Sequence, residues 1–453
     1  MFQRLPADTF FFIFQSALTI DDFASLSCAC KDIATVSASK KLDETKRKLL
    51  WRDAIANDAA AFMTERGRYP TATCCALSPD GARVLAGSDR NDNLARLWSA
   101  ETGELLKQFQ GHTDRVTCCA ISLGGAWAVT GSDDSTARIW DMETGDSLLT
   151  LEGHPGGRAV LACAFSHEGT AREGTRVFTR CYEMYKIWDA STGAMLVTRM
   201  NDDYSGVFHT CVISPDDTRV ATAKDERYPI PGGWQESGFD VLEIWDTATG
   251  DALMTLSGHK STIVCYLFSP DYHGQNEGII VTAGAKRRDG FHDIDDCWTG
   301  VATIWDAETG AALHTLEGLA IGRFTSCDFS PMGLRVVTAG EDKMARIWCT
   351  RIGVLLNVLT GHNGALGHPA ALWICCFSPD GARVATAVDD SIQLWNAETG
   401  KKVKKLKRSG HDWVRDHTIS FTPDGTRVLA RDSSGRARIW GAPRRSRLAD
   451  VCL

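Results

Sequence analysis

A tryptophan set in the frame Ala-Arg-Ile-Trp, or a close variant of it, returns eight times along the chain. It stands at Trp98, Trp140, Trp188, Trp245, Trp305, Trp348, Trp395 and Trp440, at intervals of 42, 48, 57, 60, 43, 47 and 45 residues. A base period near 42 with insertions excludes a set of unrelated domains. It requires an array of similar supersecondary units, each too small to bury its own apolar face and stable only when stacked on its neighbours.

The cleanest copy runs from Gly111 to His154, "GHTDRVTCCAISLGGAWAVTGSDDSTARIWDMETGDSLLTLEGH". It reads as four short strands. "VTCCAIS" is mostly apolar, as a strand covered on both faces should be. "WAVTGS" follows, then "TARIW", which alternates polar and apolar residues, and last "SLLTLE". The turns are marked as well. "SPDG" (Ser78–Gly81, Ser378–Gly381) falls between the first two strands, where Pro and Asp-Gly favour a tight turn. "ETG" (Glu101–Gly103, Glu143–Gly145, Glu308–Gly310, Glu398–Gly400) falls between the last two.

With Gly-His at 111–112, 153–154, 258–259, 361–362 and 410–411, and Trp-Asp at 140–141, 188–189, 245–246 and 305–306, the array resembles the WD-repeat family. The resemblance covers about 380 residues and implies a β-propeller with one four-stranded blade per repeat. Eight tryptophans imply eight blades, with seven as the alternative if one degenerate copy is not a blade. The family also implies a buried hydrogen-bond network in each blade, linking the His of Gly-His, a hydroxyl, an Asp and the Trp indole. Blade 2 carries it in full as His112, Thr130 or Ser132 (Ser132 being the expected member), Asp134 and Trp140. Blade 6 departs with Leu319 in place of His, and blade 8 with Ser434 in place of Asp, so both should be looser. The fourth strand of the last blade is expected from Ser446–Leu453; closure by residues just before the first blade is the alternative.

The composition argues against several functions. The formal net charge is −8. Residues 1–52 hold eight Lys/Arg and six Asp/Glu, and the acidic balance of the rest does not suit a phosphate-binding surface, so no nucleic-acid partner is expected. No run of apolar residues is long enough for a transmembrane helix, and no membrane partner is expected. The 16 Cys form no Cys-x-x-Cys pairs, so no metal is expected. Cys75, Cys119, Cys163, Cys211, Cys327 and Cys375 each lie three residues before the same Ser of the repeat, which points to a small buried hydrophobe at one core position. Reduced thiols fit an intracellular chain, cytoplasmic or nuclear. No hydrolase, zincin or P-loop motif is found, so neither catalysis nor a cofactor is expected. "KKVKKLKR" (Lys401–Arg408) could be a localisation signal, but it falls where the outer strand of blade 7 belongs, and lysines discourage edge-to-edge pairing there.

Two insertions lie between the second and third strands of blades 4 and 5, at 224–240 and 285–300. In a propeller these loops share one rim on adjacent blades. They carry Tyr228, Trp234, Phe239, Arg287, Arg288, Phe291 and Trp298, and aromatic and Arg side chains are the usual anchors of protein interfaces. These seven are the candidate substrate-binding residues.

The N-terminal 52 residues are of another kind. "FFFIF" at 10–14 is too short for the apolar core of a signal peptide. Phe10, Ile13, Phe14, Ala17 and Leu18 have helical spacing, while Phe11 and Phe12 add apolar groups on other faces. So short a segment cannot cover all of them itself. Leu5-Pro6, Ile13, Leu18, Asp22-Phe23, Leu26, Cys30-Lys31 and Trp51 make it resemble an F-box. Ile33 stands where that family often has Trp, and the gap before Trp51 is long. The resemblance implies a small all-α domain over 1–52 that docks a Skp-type adaptor through Leu5, Pro6, Phe10, Ile13, Phe14, Leu18, Leu26 and Cys30. Residues 53–69 read as a helical linker and 70–453 as the propeller. This order resembles the substrate receptors of cullin–RING ubiquitin ligases, with a substrate protein held on the propeller rim. The alternatives are a helical hairpin that caps the propeller, and a scaffold with no ligase link. In some relatives, rim arginines bind a phosphorylated segment. The matching positions here include Thr117, Asp133, Thr325 and Glu341, with Arg180 the one basic candidate, so phosphate reading is not carried over.

Overall fold

In the computed structural model the described residues are 60–61 and 72–440, less 89–91, 156, 168–174, 183, 201–211, 226–228, 231–232, 235–239, 258–260, 271–277, 288–297, 363–371, 389–390, 408–418 and 432–436. All belong to the compact unit Leu50–Leu453. They form eight four-stranded antiparallel sheets and one small two-stranded hairpin, Pro229–Ile230 with Gly233–Trp234, and no helix is found among them. The sheets are the eight blades of a β-propeller, one for each tryptophan.

Blade 2 sets the pattern: Val116–Ile121, Trp127–Ser132, Ala137–Asp141 and Ser147–Leu151, in sequence order from the inside outward. Seven of the eight tryptophans are seen to fill a seam. Trp140 packs on Leu85, Ala95, Leu97 and Phe109 of blade 1, and Trp188 on Val129, Ile139 and Leu151 of blade 2. Trp245, Trp305, Trp348, Trp395 and Trp440 repeat the arrangement, each against the blade before its own. The alternating third strand makes this possible: one face carries Ala and Ile toward the next blade, and the other carries Arg and Trp toward the previous one.

Polar clasps lock the seams at both rims. A residue inserted as a bulge near the start of the first strand is Thr in three blades. Thr117 Oγ1 donates to the carbonyls of Gly131 (3.0 Å) and of Val160, in the next blade. Thr73 and Thr325 make the same reach to Val116 and Leu372. At the opposite rim the second strand begins with Arg in five blades, at 83, 176, 219, 335 and 383, and in blade 8 Arg427 immediately precedes it. Arg83 Nη2 donates to Gly125 O of blade 2 (2.9 Å), and Arg335 Nη2 to Gly381 O of blade 7 (2.8 Å). Arg427 of blade 8 donates to Gly81 O (2.9 Å) and Ala100 O (3.1 Å) of blade 1 and so closes the ring. Between blades 6 and 7 the half-buried Asp328 accepts the N–H of Phe377 at 2.7 Å. Burial raises its carboxyl to about 7, against the pull of the Phe377 and Phe329 amides.

Closure of the last blade corrects the sequence reading. Its fourth strand is Ala60–Ala61, antiparallel to Ala437–Trp440, with Ala60 opposite Ile439 and Ala61 opposite Arg438. The strand therefore comes from before the first blade, while 446–453 lies outside the described residues. Ala60–Ala61 is also extended where a helix over 53–69 is expected. Joining the two ends of the array in one sheet covers an edge that would otherwise remain open. The lysine-rich stretch is, as read, the outermost strand of blade 7, Lys402–Lys407.

Candidate interaction surface

The strand order puts the turns between second and third strands, with the connections between blades, on one rim, here called upper. The "SPDG" and "ETG" turns lie on the lower rim. Blade 2 shows how the upper rim is held. The Trp140 indole N–H donates to Thr130 Oγ1 at 2.8 Å. His112 Nε2 lies 2.8 Å from the same oxygen, and His112 Nδ1 lies 2.8 Å from Asp134 Oδ2. The carboxylate can only accept, so Nδ1 carries the proton and Nε2 accepts from the Thr130 hydroxyl. The relay runs Trp N–H to Thr O–H to His, and His N–H to Asp.

The hydroxyl of this network is Thr130, and Ser132 is not part of it. Ser132 belongs to the turn, where its hydroxyl donates to Asp114 O (3.0 Å) and accepts from Asp134 N (3.1 Å). Thr130 and Ser132 lie two apart on one strand face, so spacing alone does not separate them. Burial would raise the Asp134 carboxyl, but hydrogen bonds from His112, Thr136 and Thr113 hold it well below the usual carboxylate range.

Other blades keep parts of the relay. In blade 3 the Trp188 N–H reaches Thr179 Oγ1 at 2.7 Å and His154 Nε2 lies 2.8 Å from it, but His154 Nδ1 has no partner among the described residues. Blade 7 joins Trp395, Thr386 and His362 in the same way at 2.9 Å, and His362 Nδ1 donates to the Lys343 carbonyl of blade 6 at 2.8 Å. Trp305 and Trp348 donate to Thr282 and Thr338. Blade 8 has Ala430 in the threonine register, and Trp440 Nε1 has no partner among the described residues. Burial, helped by Lys186, lowers His154 to about 4, and burial lowers His362 to about 4. Both are neutral at pH 7. The side chain of Leu319, and Ser434, lie outside the described residues.

Of the seven candidate binding residues, Trp298 is described in full. It is half-buried at the upper rim of blade 5, opposite Arg287 in the strand pair Ile279–Arg287 and Trp298–Asp306. The Arg323 guanidinium lies over its ring at 4.4 Å from the centroid. Gly322 N donates to Trp298 O (3.0 Å), and Arg323 N to Glu341 Oε2 (3.0 Å). Gly322 has φ +135°, and a Cβ there would come within 2.8 Å of Asp342 N, so only glycine fits this crossing. Trp234 lies in the hairpin of blade 4. Tyr228, Phe239, Arg288 and Phe291 lie outside the described residues, as do Leu5, Pro6, Phe10, Ile13, Phe14, Leu18, Leu26 and Cys30. Arg323, which sequence reading missed, follows a glycine in no recurring frame.

The inner-strand cysteines pack as core: Cys75, Cys119, Cys163, Cys327 and Cys375 each join a seam cluster. Burial pushes the Cys375 and Cys376 thiols well up, away from thiolate chemistry. Among the described residues no cluster of His, Cys, Asp and Glu could hold a metal, and no helix is long and apolar enough to cross a membrane.

The chain carries WD40 repeats. The family model "WD domain, G-beta repeat" matches residues 67–99, 103–141, 311–349 and 353–396. Among curated proteins the chain is similar to the transcriptional corepressor LEUNIG_HOMOLOG of Arabidopsis thaliana, 23% identical over 62% of this chain and 30% of that protein. It is similar to autophagy-related protein 16 of the same plant, 24% identical over 44% of this chain and 33% of that one. It is also similar to human pre-mRNA-processing factor 17, 24% identical over 44% of this chain and 31% of that one. The chain thus spans about a third of the length of these relatives. A crystal structure of the computationally designed Ika8 protein shares the fold, with TM-score 0.59 and 22% identity over 84% of this chain and 99% of that one.

Proposed function

We propose that this WD-repeat protein-interaction scaffold is the substrate receptor of a cullin–RING ubiquitin ligase, acting in the cytoplasm or nucleus. The propeller holds a substrate protein at its upper rim, and residues 1–52 dock a Skp-type adaptor that joins it to the cullin core. The chain itself performs no covalent chemistry. It contributes proximity, raising the effective concentration of substrate lysines near a charged conjugating enzyme. The observation that carries this reading is the F-box-like series Leu5-Pro6, Ile13, Leu18, Leu26 and Cys30-Lys31 ahead of a WD-repeat propeller. The Trp298–Arg323 stack beside Glu341 suits a protein partner, since it offers an aromatic face and a guanidinium together.

The test is co-purification of the full chain with a Skp-type adaptor and cullin. Changing Phe10, Ile13 and Phe14 to Asp abolishes it on this reading and leaves propeller melting unchanged. A second reading, a scaffold with no ligase link, is favoured by the diversity of the relatives, which are a corepressor, an autophagy-related protein and a pre-mRNA-processing factor by name. It predicts no adaptor in the purified complex.

A further inference from the structure

The lower rim is built from two turns per blade, and in several blades a carboxylate holds each of them. In the first, Asp80, Asp216, Asp380 and Asp424 accept the backbone N–H two residues on, at 2.9, 3.1, 3.0 and 3.0 Å. In the second, Asp141 Oδ1 accepts two consecutive amides, Glu143 N and Thr144 N, both at 2.8 Å. Asp189, Asp246, Asp306 and Asn396 do the same in blades 3, 4, 5 and 7.

Blade 6 keeps both turn backbones and loses both acceptors. Met332 stands in the position of Asp80, and Cys349 in that of Asp141. The turns still close, with Gly333 N on Ser330 O at 2.7 Å and Gly353 N on Cys349 O at 3.0 Å. Thr350 Oγ1 donates to Gly333 O at 2.8 Å and brings the two turns together. His314 of blade 5 buttresses the second turn, its Nε2 2.9 Å from Arg351 O. The amides of Arg351 and Ile352 therefore point where an Asp oxygen sits in four other blades and an Asn oxygen in a fifth, and no acceptor is seen for them among the described residues. The substitutions beside them also change the chemistry. Arg351 replaces the Glu of "ETG" and Ile352 the Thr. Ile352 is 40% exposed and Met332 51%. The second turns on either side keep Glu308 and Glu398. Blade 6 thus presents a cation, two exposed apolar side chains and two paired amide donors between neighbouring turns that carry Glu308 and Glu398.

We propose that this surface is a docking site for a protein segment that presents a carboxylate next to an apolar side chain. The carboxylate takes the place of the missing Asp oxygen on the Arg351 and Ile352 amides, with the Arg351 guanidinium beside it. The apolar side chain rests on Ile352 and Met332. Paired amides of this kind form an anion-binding concavity, and charge-assisted hydrogen bonds are about twice as strong as neutral ones. The adjoining apolar pair selects a peptide over a free anion. This surface lies on the opposite rim from Trp298 and does not depend on the ligase reading.

The test uses the full chain and two fluorescein-labelled peptide pools with random flanks, one with a fixed Asp-Leu core and one with Asn-Leu, read by anisotropy. The wild type should bind the Asp-Leu pool about tenfold tighter. Cys349→Asp refills the acceptor from within, so it should erase that preference while melting no lower than wild type. Arg351→Glu with Ile352→Thr, which restores the repeat's own residues, gives a second variant should Cys349→Asp fold poorly, and should also erase the preference. Equal binding of the two pools by wild type, no binding of either at 200 µM (on the order of the weakest useful peptide affinities), or a preference that survives in a folded variant would overturn the proposal.

Discussion

Blades 2 and 3 share strand order and the Trp–Thr–His relay, yet among the described residues only blade 2 has a carboxylate at its end. Trp140, Thr130 and His112 superpose in role on Trp188, Thr179 and His154, with contacts of 2.7–2.8 Å in both blades. Asp134 accepts the Nδ1–H of His112, and among the described residues nothing accepts that of His154. The blade therefore does not need the whole tetrad. The threonine hydroxyl is the shared junction, while the carboxylate fixes one histidine tautomer and ties it to the upper turn. Blade 7 reaches the same end by a different group, the Lys343 carbonyl of its neighbour.

This comparison can be broken most strongly at the tryptophan. Trp140→Ala removes a fully buried ring from the blade 1–2 seam and should cost about 3–5 kcal/mol, read from urea unfolding. Trp188→Ala should cost a similar amount, because the seam and not the carboxylate sets it. Next comes the junction. Thr130→Ala leaves the indole N–H and His112 Nε2 without partners in a buried site and should cost about 2–3 kcal/mol. Thr179→Ala should match it, whereas Ala430→Thr in blade 8 should stabilise by up to about 1 kcal/mol by giving Trp440 an acceptor.

The pH dependence sharpens the contrast. His154 and His362 have folded values of about 4, below the ordinary 6.5. The unfolded chain then binds more protons between these values. Their contribution is fully present above pH 6.5 and is lost as pH falls toward 4, by about 1–3 kcal/mol for each histidine. Asp328 acts in the opposite sense. Its value of about 7 lies above the ordinary 3.8, so it lowers stability as pH rises through that window. Melting curves from pH 8 to 4.5 on wild type, His154→Gln and Asp328→Asn separate the two: the first substitution flattens the acid loss, and the second raises the midpoint at pH 8. The smallest effect belongs to the carboxylate itself. Asp134→Asn should cost about 1 kcal/mol at pH 7, and blade 3 has no counterpart to lose.

Much of this was legible in the sequence, because the repeat states its chemistry many times over. Eight tryptophans on one frame imply eight seams, and the cysteines at one inner position read as core. The Arg-Val recurrence at Arg83, Arg335 and Arg427 was equally visible, but its meaning needs two blades at once, since each arginine bonds the turn of the next. The same limit explains Ser132. On one strand it and Thr130 are equivalent, and only the position of Trp140 chooses between them. Ring closure is the least local feature. Ala60–Ala61 has no repeat signature, and a two-residue strand is defined by its partner, here Ala437–Trp440. The rim loops are individual too: composition singles out Trp298 as a candidate, while nothing in the sequence marks Arg323 as its stacking partner.

The account rests most heavily on what residues 1–52 hold. Isothermal titration of a purified Skp-type adaptor into the full chain tests this directly. One-to-one binding is expected, lost in the Phe10, Ile13, Phe14→Asp variant at an unchanged melting temperature. Absence of binding by the wild type, or equal binding by the variant, would contradict it.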